Sequence, residues 1–154
     1  MMPMSANERT GWRDESLSLR HRDWGYDCPA VDLDFLLIEY DNAKPKALIE
    51  YKNQHAQPII VSNNKSILAM IELANSAGLP ALLVRYADDF SWWKVAPLNE
   101  LALKHMPTTD SKSTVYFFDE VQFVTLLYSI RGRQIPQSVV SRINQLNSKG
   151  GDLR

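Results

Sequence analysis

The sequence predicts an α/β fold: a mixed sheet of about four to six strands flanked by helices, with a small C-terminal helical appendage. Two observations predict it. Short runs rich in Leu, Ile, Val, Tyr and Phe at 35–40, 46–51 and 81–86 have strand length. Between the second and third of these, Ile67, Met70, Ile71, Ala74 and Ala77 recur at helical spacing. A chain of 154 residues with 45% hydrophobic content can bury one core and is short for two. The expected division is therefore one domain, with an α/β core and N-terminal arm over 1–106 and a C-terminal strand and helices over 107–154 packed on it.

Taken in order, residues 1–10 are polar and unpatterned. Trp12 to Trp24 carries apolar residues sparsely, enough for a short helix that stops near Gly25. Asp27-Cys-Pro-Ala is irregular, because proline biases the preceding residue away from helix. Phe35 to Tyr40 and Lys46 to Tyr51 form a hairpin about Asp41-Asn-Ala-Lys-Pro45, and their near-continuous apolar character predicts strands covered on both faces. Pro58 to Ser62 is extended or enters a helix over Lys65 to Ala77, capped by Ser62 or Asn63 and stopped by Gly78-Leu-Pro80. Ala81 to Tyr86 is a buried strand. After the Asp88-Asp89 turn, Trp92 to Leu98 reads as an edge strand ending near Pro97. A short helix at Asn99 to His105, a polar linker at Pro107 to Ser113 and a strand at Thr114 to Phe118 follow. Asp119 caps a helix over Glu120 to Arg131, stopped by Gly132, and a last helix runs from Gln137 to Leu146 before a frayed tail.

A formal net charge of −1 excludes a uniformly basic surface, so polyanion binding has to come from local patches. The single cysteine, Cys28, excludes an intramolecular disulfide framework and reads first as a small buried side chain in a reducing compartment, the alternative being a redox or nucleophilic role. With no apolar leader at the N-terminus and no apolar run of spanning length, the expected setting is cytoplasmic, without a membrane.

The chemistry lies in Asp32-Leu-Asp-Phe and Ile-Glu-Tyr-Lys52, where strand patterning puts charges beside apolar runs. Alternation places Asp32 with Asp34 on one face, and Glu50 with Lys52 on one face. If Asp41 to Pro45 is the loop, Tyr40 pairs with Lys46, Asp34 stands opposite Lys52 and Leu36 opposite Glu50. Asp34 and Glu50 are then diagonal neighbours, roughly 7–8 Å apart. A slip of one residue would separate them onto opposite faces. Glu39 has the other parity. Two carboxylates and an ammonium beside buried strands need compensation. A hard divalent cation supplies it, and Mg²⁺ in particular takes few carboxylates and keeps waters for substrate and nucleophile. The plain alternative is an internal ion pair between Lys52 and Asp34.

An acidic residue opening one strand, a hairpin, Glu-x-Lys closing the next, then a helix and a strand, resembles the core of the PD-(D/E)xK nuclease superfamily, including Holliday-junction-resolvase-like and restriction-endonuclease-like enzymes. Pro29-Ala-Val-Asp-Leu-Asp34 stands for the first motif and Ile49-Glu-Tyr-Lys52 for the second, and the resemblance covers roughly residues 12–98. It implies a restriction-endonuclease-like sheet and a Mg²⁺-dependent nuclease, Mn²⁺ serving as a substitute, that hydrolyses DNA phosphodiesters. By the same resemblance Asp34, Glu50 and the Tyr51 carbonyl hold the metal, and Lys52 activates water. Two departures stand out: proline does not directly precede the aspartate, which leaves Asp32 a rival to Asp34, and no clear strand precedes the hairpin. A further glutamate from the first helix is implied, for which Glu15 is the nearest match and Glu8 the next.

Arg20-His21-Arg22 could contact phosphates, or form a solvated helix face paired with Asp14, Glu15 and Asp23. Gln54 and His55 follow Lys52 and could line the cleft. His21, His55 and His105 lack mutual ligand spacing, which argues against zinc. Trp92-Trp93 reads as edge-strand packing more than as a base-stacking platform. Arg131-Gly-Arg133 could touch a substrate or the second subunit of a homodimer, or simply complement a helix C-terminus. The rival function is a non-catalytic nucleic-acid- or protein-binding module that keeps the same fold.

Overall fold

The computed structural model describes residues 15–24, 29–108 and 114–152. The arm at 1–10 with Glu8, Trp12 and Asp14, Gly25, Asp27 and Cys28, and linker residues 109–113 lie outside them. Contacts divide the chain into two compact units, Met1–Asp32 and Leu33–Arg154. In the first, helix α1 spans Glu15–Asp23 and gathers Arg20, His21 and Arg22 in its last turn, where the helix dipole favours positive charge. The Trp24 N–H donates to the Arg20 and His21 carbonyls, and its ring meets the edge of His21 at 4.5 Å.

The second unit is a five-stranded sheet flanked by helices. Its elements are β1 (Phe35–Glu39), β2 (Lys44–Asn53), α2 (Lys65–Ala77), β3 (Ala81–Tyr86), β4 (Trp93–Pro97), α3 (Glu100–Leu103), β5 (Tyr116–Phe118), α4 (Glu120–Ile130) and α5 (Gln137–Asp152). The strands lie in chain order. Only β2 and β3 pair in parallel, which requires the crossover that α2 supplies.

Alternation sorts the strand residues into two layers. On one face Ala47, Ile49, Leu82, Val84 and Val95 form the main core with Phe123, Leu126 and Ile130 of α4. On the other, Leu48 and Ala81 pack beneath Met70 and Ala74 of α2. Both covering helices have explicit ends. The Asn64 side chain accepts the Ile67 N–H, and Gly78 closes α2 at φ 72°, a conformation glycine adopts without a Cβ clash. Asp119 and Gln122 form a reciprocal capping box on α4. No helix among the described residues is long and apolar enough to cross a membrane.

Several expectations are corrected. The cap of α2 is Asn64, not Ser62 or Asn63, because Val61–Asn63 form a 3₁₀ turn that delays the helix. Trp92 to Leu98 is not the sheet edge, since β5 pairs outside β4. β1 and β5 are the two edges, and Phe35, Leu36 and Ile38 of β1 are exposed, so its apolar run does not mark a strand covered on both faces. Helix α5 continues past Leu146 to Asp152.

The hairpin register also differs. Its loop is the 3₁₀ turn Tyr40–Asn42 plus Ala43 at φ 57°. Glu39 pairs with Lys44 and Ile38 with Pro45, but Leu37 then pairs with Ala47, leaving Lys46 without an opposing residue. Such a bulge suits Pro45, which has no N–H for the ladder. Beyond the bulge Leu36 pairs with Leu48 and Phe35 with Ile49. Asp34, one step further, adjoins Glu50 directly, not the diagonal position expected when Asp34 is set opposite Lys52.

Candidate active site

Strands β1 and β2 run antiparallel, so the residue entering β1 meets the carboxyl end of β2. Asp34 uses that position to bond the sheet. Its Oδ2 accepts the Tyr51 N–H at 3.1 Å, filling the place of a backbone acceptor where β1 has no further pair. A strand residue directs its N–H and C=O toward the same neighbour, so the Tyr51 carbonyl belongs to the Asp34 edge of β2.

Glu50 and Lys52 lie on the α2 face of the sheet, and the Lys52 Nζ is 3.1 Å from Glu50 Oε2. The Glu50 side chain is 16% exposed and that of Lys52 35%. Burial pushes the Glu50 carboxyl above its usual range, the bond from Lys52 opposes this, and the charge and side-chain hydrogen bond of Asp34 add to it. Asp34, Glu50 and Lys52 therefore converge. The ion pair of Lys52 is with Glu50, not with Asp34. Tyr51 points into the opposite layer, where burial raises its phenol and its ring meets Phe35, Trp93 and Phe123 edge-on.

The loops after β2 and β3 fasten this end of the sheet. The Arg85 guanidinium donates to the carbonyls of Asn53, Ala56 and Gln57 at 3.0, 2.8 and 3.2 Å. Asp88 accepts from Asn53 at 2.6 Å and contacts His55 Nε2 at 2.7 Å. Those two bonds hold the Asp88 carboxyl below its usual range. Gln54 accepts the Asp88 N–H at 2.7 Å and also lines a groove of about 630 Å³ with Lys52, Arg85 and Lys94. This is the carboxyl end of the parallel pair, where open α/β sheets commonly bind ligands.

The remaining expected residues are described where the chain places them. Asp32 is exposed and closes the first unit, which also contains Arg20, His21 and Arg22. Glu15 begins α1, and its side chain lies outside the described residues. Arg131 and Arg133 both bond Glu39, at 3.2 and 2.6 Å, and Arg133 also bonds Asp41 at 2.8 Å. Arg85, Lys94 and the His55–Asp88 pair were not expected. The usable signal was a charged residue inside each of two strands, Arg85 in Ala-Leu-Leu-Val-Arg-Tyr and Lys94 in Trp-Lys-Val-Ala-Pro.

Among the described residues no three His, Cys, Asp or Glu side chains converge as a metal cage. The donors that do meet are two carboxylates, that of Asp34 disfavouring ionisation of Glu50, with a backbone carbonyl at the same strand edge. That set fits a hard divalent cation that retains several waters and does not suit zinc, which prefers nitrogen and sulfur donors. No protein-family profile, curated protein or solved structure matches the chain.

Proposed function

We propose that this protein is a Mg²⁺-dependent nuclease of the PD-(D/E)xK kind, hydrolysing DNA phosphodiester bonds, with Mn²⁺ able to substitute. One observation carries the reading. The carboxyl groups of Asp34 and Glu50 interact at adjoining strand ends, and the Lys52 ammonium is bonded to one of them. Restriction-endonuclease-like topology is part of the proposal and is supported by the order hairpin, helix, parallel strand after Glu-x-Lys.

Asp34, Glu50 and the Tyr51 carbonyl would hold the cation, whose chemistry is to polarise a phosphoryl oxygen and acidify a water. Lys52 is solvent-accessible and tethered by Glu50, so its N–H donors are available to orient the attacking water and to offset charge on the phosphoryl group. The water oxygen forms the new bond to phosphorus as one P–O ester bond breaks; the attacking water releases a proton to solvent and the departing oxygen takes one up from solvent. Positioning and charge stabilisation supply most of the acceleration in reactions of this class.

The test is cleavage of single-stranded, duplex and branched DNA with Mg²⁺ or Mn²⁺, with Glu50→Ala and Lys52→Ala as controls. Metal-dependent cleavage abolished by both substitutions supports the assignment. Cleavage that survives both removes it.

A second reading, a non-catalytic nucleic-acid- or protein-binding module, draws support from the closed Lys52–Glu50 pair and the lack of a third acid among the described residues. Under it, neither cleavage nor divalent-ion binding is measurable.

A further inference from the structure

The register of β2, β3, β4 and β5 aligns Lys52, Arg85, Lys94 and Phe117 as successive cross-strand partners on one face of the sheet. Three cations in adjacent positions are mutually repulsive, and like charges directly opposite each other destabilise a sheet. Among the described residues only Lys52 is balanced, by Glu50. Arg85 bonds three neutral carbonyls, and Lys94 lies over the Phe117 ring at 5.5 Å from its centroid. Among the described residues neither is paired with a carboxylate. Lys52, Arg85 and Lys94 share the groove of about 630 Å³, and its described lining contains no acidic residue. In a chain of net charge −1 this is a local concentration of positive charge.

The geometry points to a track for one nucleic-acid strand, its phosphates along Lys52, Arg85 and Lys94 and a base stacked on Phe117. The identity of the polymer rests on the nuclease reading above. Four adjacent strands span about 14 Å from first to last, long enough for several backbone positions. The groove is bounded by Ala56, Pro58, Ile59 and Val61 on one side and by Thr114 and Val115 on the other. Its volume is that of a small-ligand pocket, which suits a single strand more than a duplex. Phe117, the next member of the row beyond Lys94 and outside the groove's lining, is 69% exposed. A basic groove combined with an accessible ring is how single strands are commonly held without sequence readout. The track enters the candidate site at Lys52.

Binding is measured without divalent ions by fluorescence anisotropy of labelled single-stranded and duplex oligonucleotides of equal length, using the full chain. The wild type is expected to prefer the single strand. Lys94→Glu is expected to weaken binding at least about tenfold and to flatten the salt dependence by about 0.7 in slope for each phosphate no longer neutralised. Phe117→Ala is expected to weaken it by about fivefold or more, while Lys44→Glu, eight residues before Lys52 on β2, changes it less than about twofold. Circular dichroism melts verify folding, and Lys94→Ala replaces any charge reversal that fails to fold. Wild-type affinity in a folded Lys94 variant, an equal loss in Lys44→Glu, or preference for duplex overturns the track. Row-dependent binding without cleavage by the wild type retains the track and removes the nuclease reading; cleavage with binding indifferent to the row does the reverse.

Discussion

The Asp34 carboxylate accepts the backbone N–H of Tyr51 at 3.1 Å, so the first candidate ligand is also the last bond between the chain entering β1 and the end of β2. Its structural and electrostatic roles are separable. Asp34→Asn keeps an oxygen acceptor for Tyr51 and removes the charge that presses on Glu50. Asp34→Ala removes both and leaves the N–H to solvent. Urea unfolding is expected to place Asp34→Asn close to wild type and Asp34→Ala lower by about 0.5–1.5 kcal/mol. Titration calorimetry with Mn²⁺ is expected to show at least about tenfold weaker binding for both.

Glu50 makes the site sensitive to pH in a defined direction. Its carboxyl is held above the ordinary value of 4.5 mainly by burial, with Lys52 opposing and Asp34 adding. An acid whose folded pKa is raised binds more protons folded than unfolded between the two values. Its stabilising contribution is complete below 4.5 and is lost as pH rises through the folded value. Glu50→Gln is therefore expected to raise Tm at pH 7 by about 2–4 °C, roughly what 1 kcal/mol produces in a chain this size, with the gain vanishing below pH 4.5. Differential scanning calorimetry with millimolar Mg²⁺ is expected to raise the wild-type Tm at pH 7 and to leave Glu50→Gln unmoved.

Helix α2 and strand β3 were legible to the residue, because a long amphipathic period and a Gly-Leu-Pro stop carry their own boundaries. The convergence of Asp34 and Glu50 was legible from strand parity, but for an incomplete reason. A five-residue loop gives that parity on paper, whereas the chain uses a tighter turn and regains the same parity through the unpaired Lys46. A bulge depends on how two strands fit, and nothing in Lys-Pro-Lys states it. The edge position of β1 was hidden for the same kind of reason: an apolar run reports hydrophobicity, not which neighbour is present. Arg85 could be noticed as a charge within a strand, but its three carbonyl partners come from the end of β2 and the loop after it, whose path only the tertiary structure defines.

Lys46 provides a test of that register. Deleting it removes the bulge, while the residues now at Ala47 and Ile49 remain the natural partners of Leu37 and Phe35. Asp34 and Glu50 then stay on one face. The Lys46 deletion is expected to fold with a Tm within about 5 °C of wild type, taking the cost as that of an ordinary surface change, and to retain Mn²⁺ binding within about threefold. Loss of binding in a folded deletion variant would show that the bulge itself aims the strand end.

Arg85 fixes the loop that follows Glu50 and Lys52, and its planar fork reaches three acceptors that an ammonium cannot span equally well. Arg85→Lys preserves charge and is expected to lose about 1–3 kcal/mol in urea unfolding, the range for leaving partly buried polar groups unmatched. Hydrogen exchange is expected to quicken at Ala56, whose N–H bonds the Asn53 carbonyl, while amides in α4 remain protected.

Glu39 links the hairpin to the segment after α4. It is 5% exposed, and its carboxylate is held below its ordinary value first by the bond from Arg133, with Arg131 assisting and burial opposing. The direction is opposite to that of Glu50. An acid with a lowered folded pKa contributes stability that is present above 4.5 and disappears as pH falls through the folded value. Removing the charge also leaves Arg131, 20% exposed, without its carboxylate partner, and a cation stripped of a buried partner is costly. Glu39→Gln is therefore expected to lower Tm at pH 7 by roughly 5 °C or more, the gap narrowing as both proteins are taken below pH 4. Adding Arg133→Gln to Glu39→Gln is expected to cost less than Arg133→Gln costs in the wild type, because the two share one bond network. A Tm difference that persists unchanged at pH 3, or strict additivity of the two substitutions, would exclude the ion pair as the source of the stabilisation.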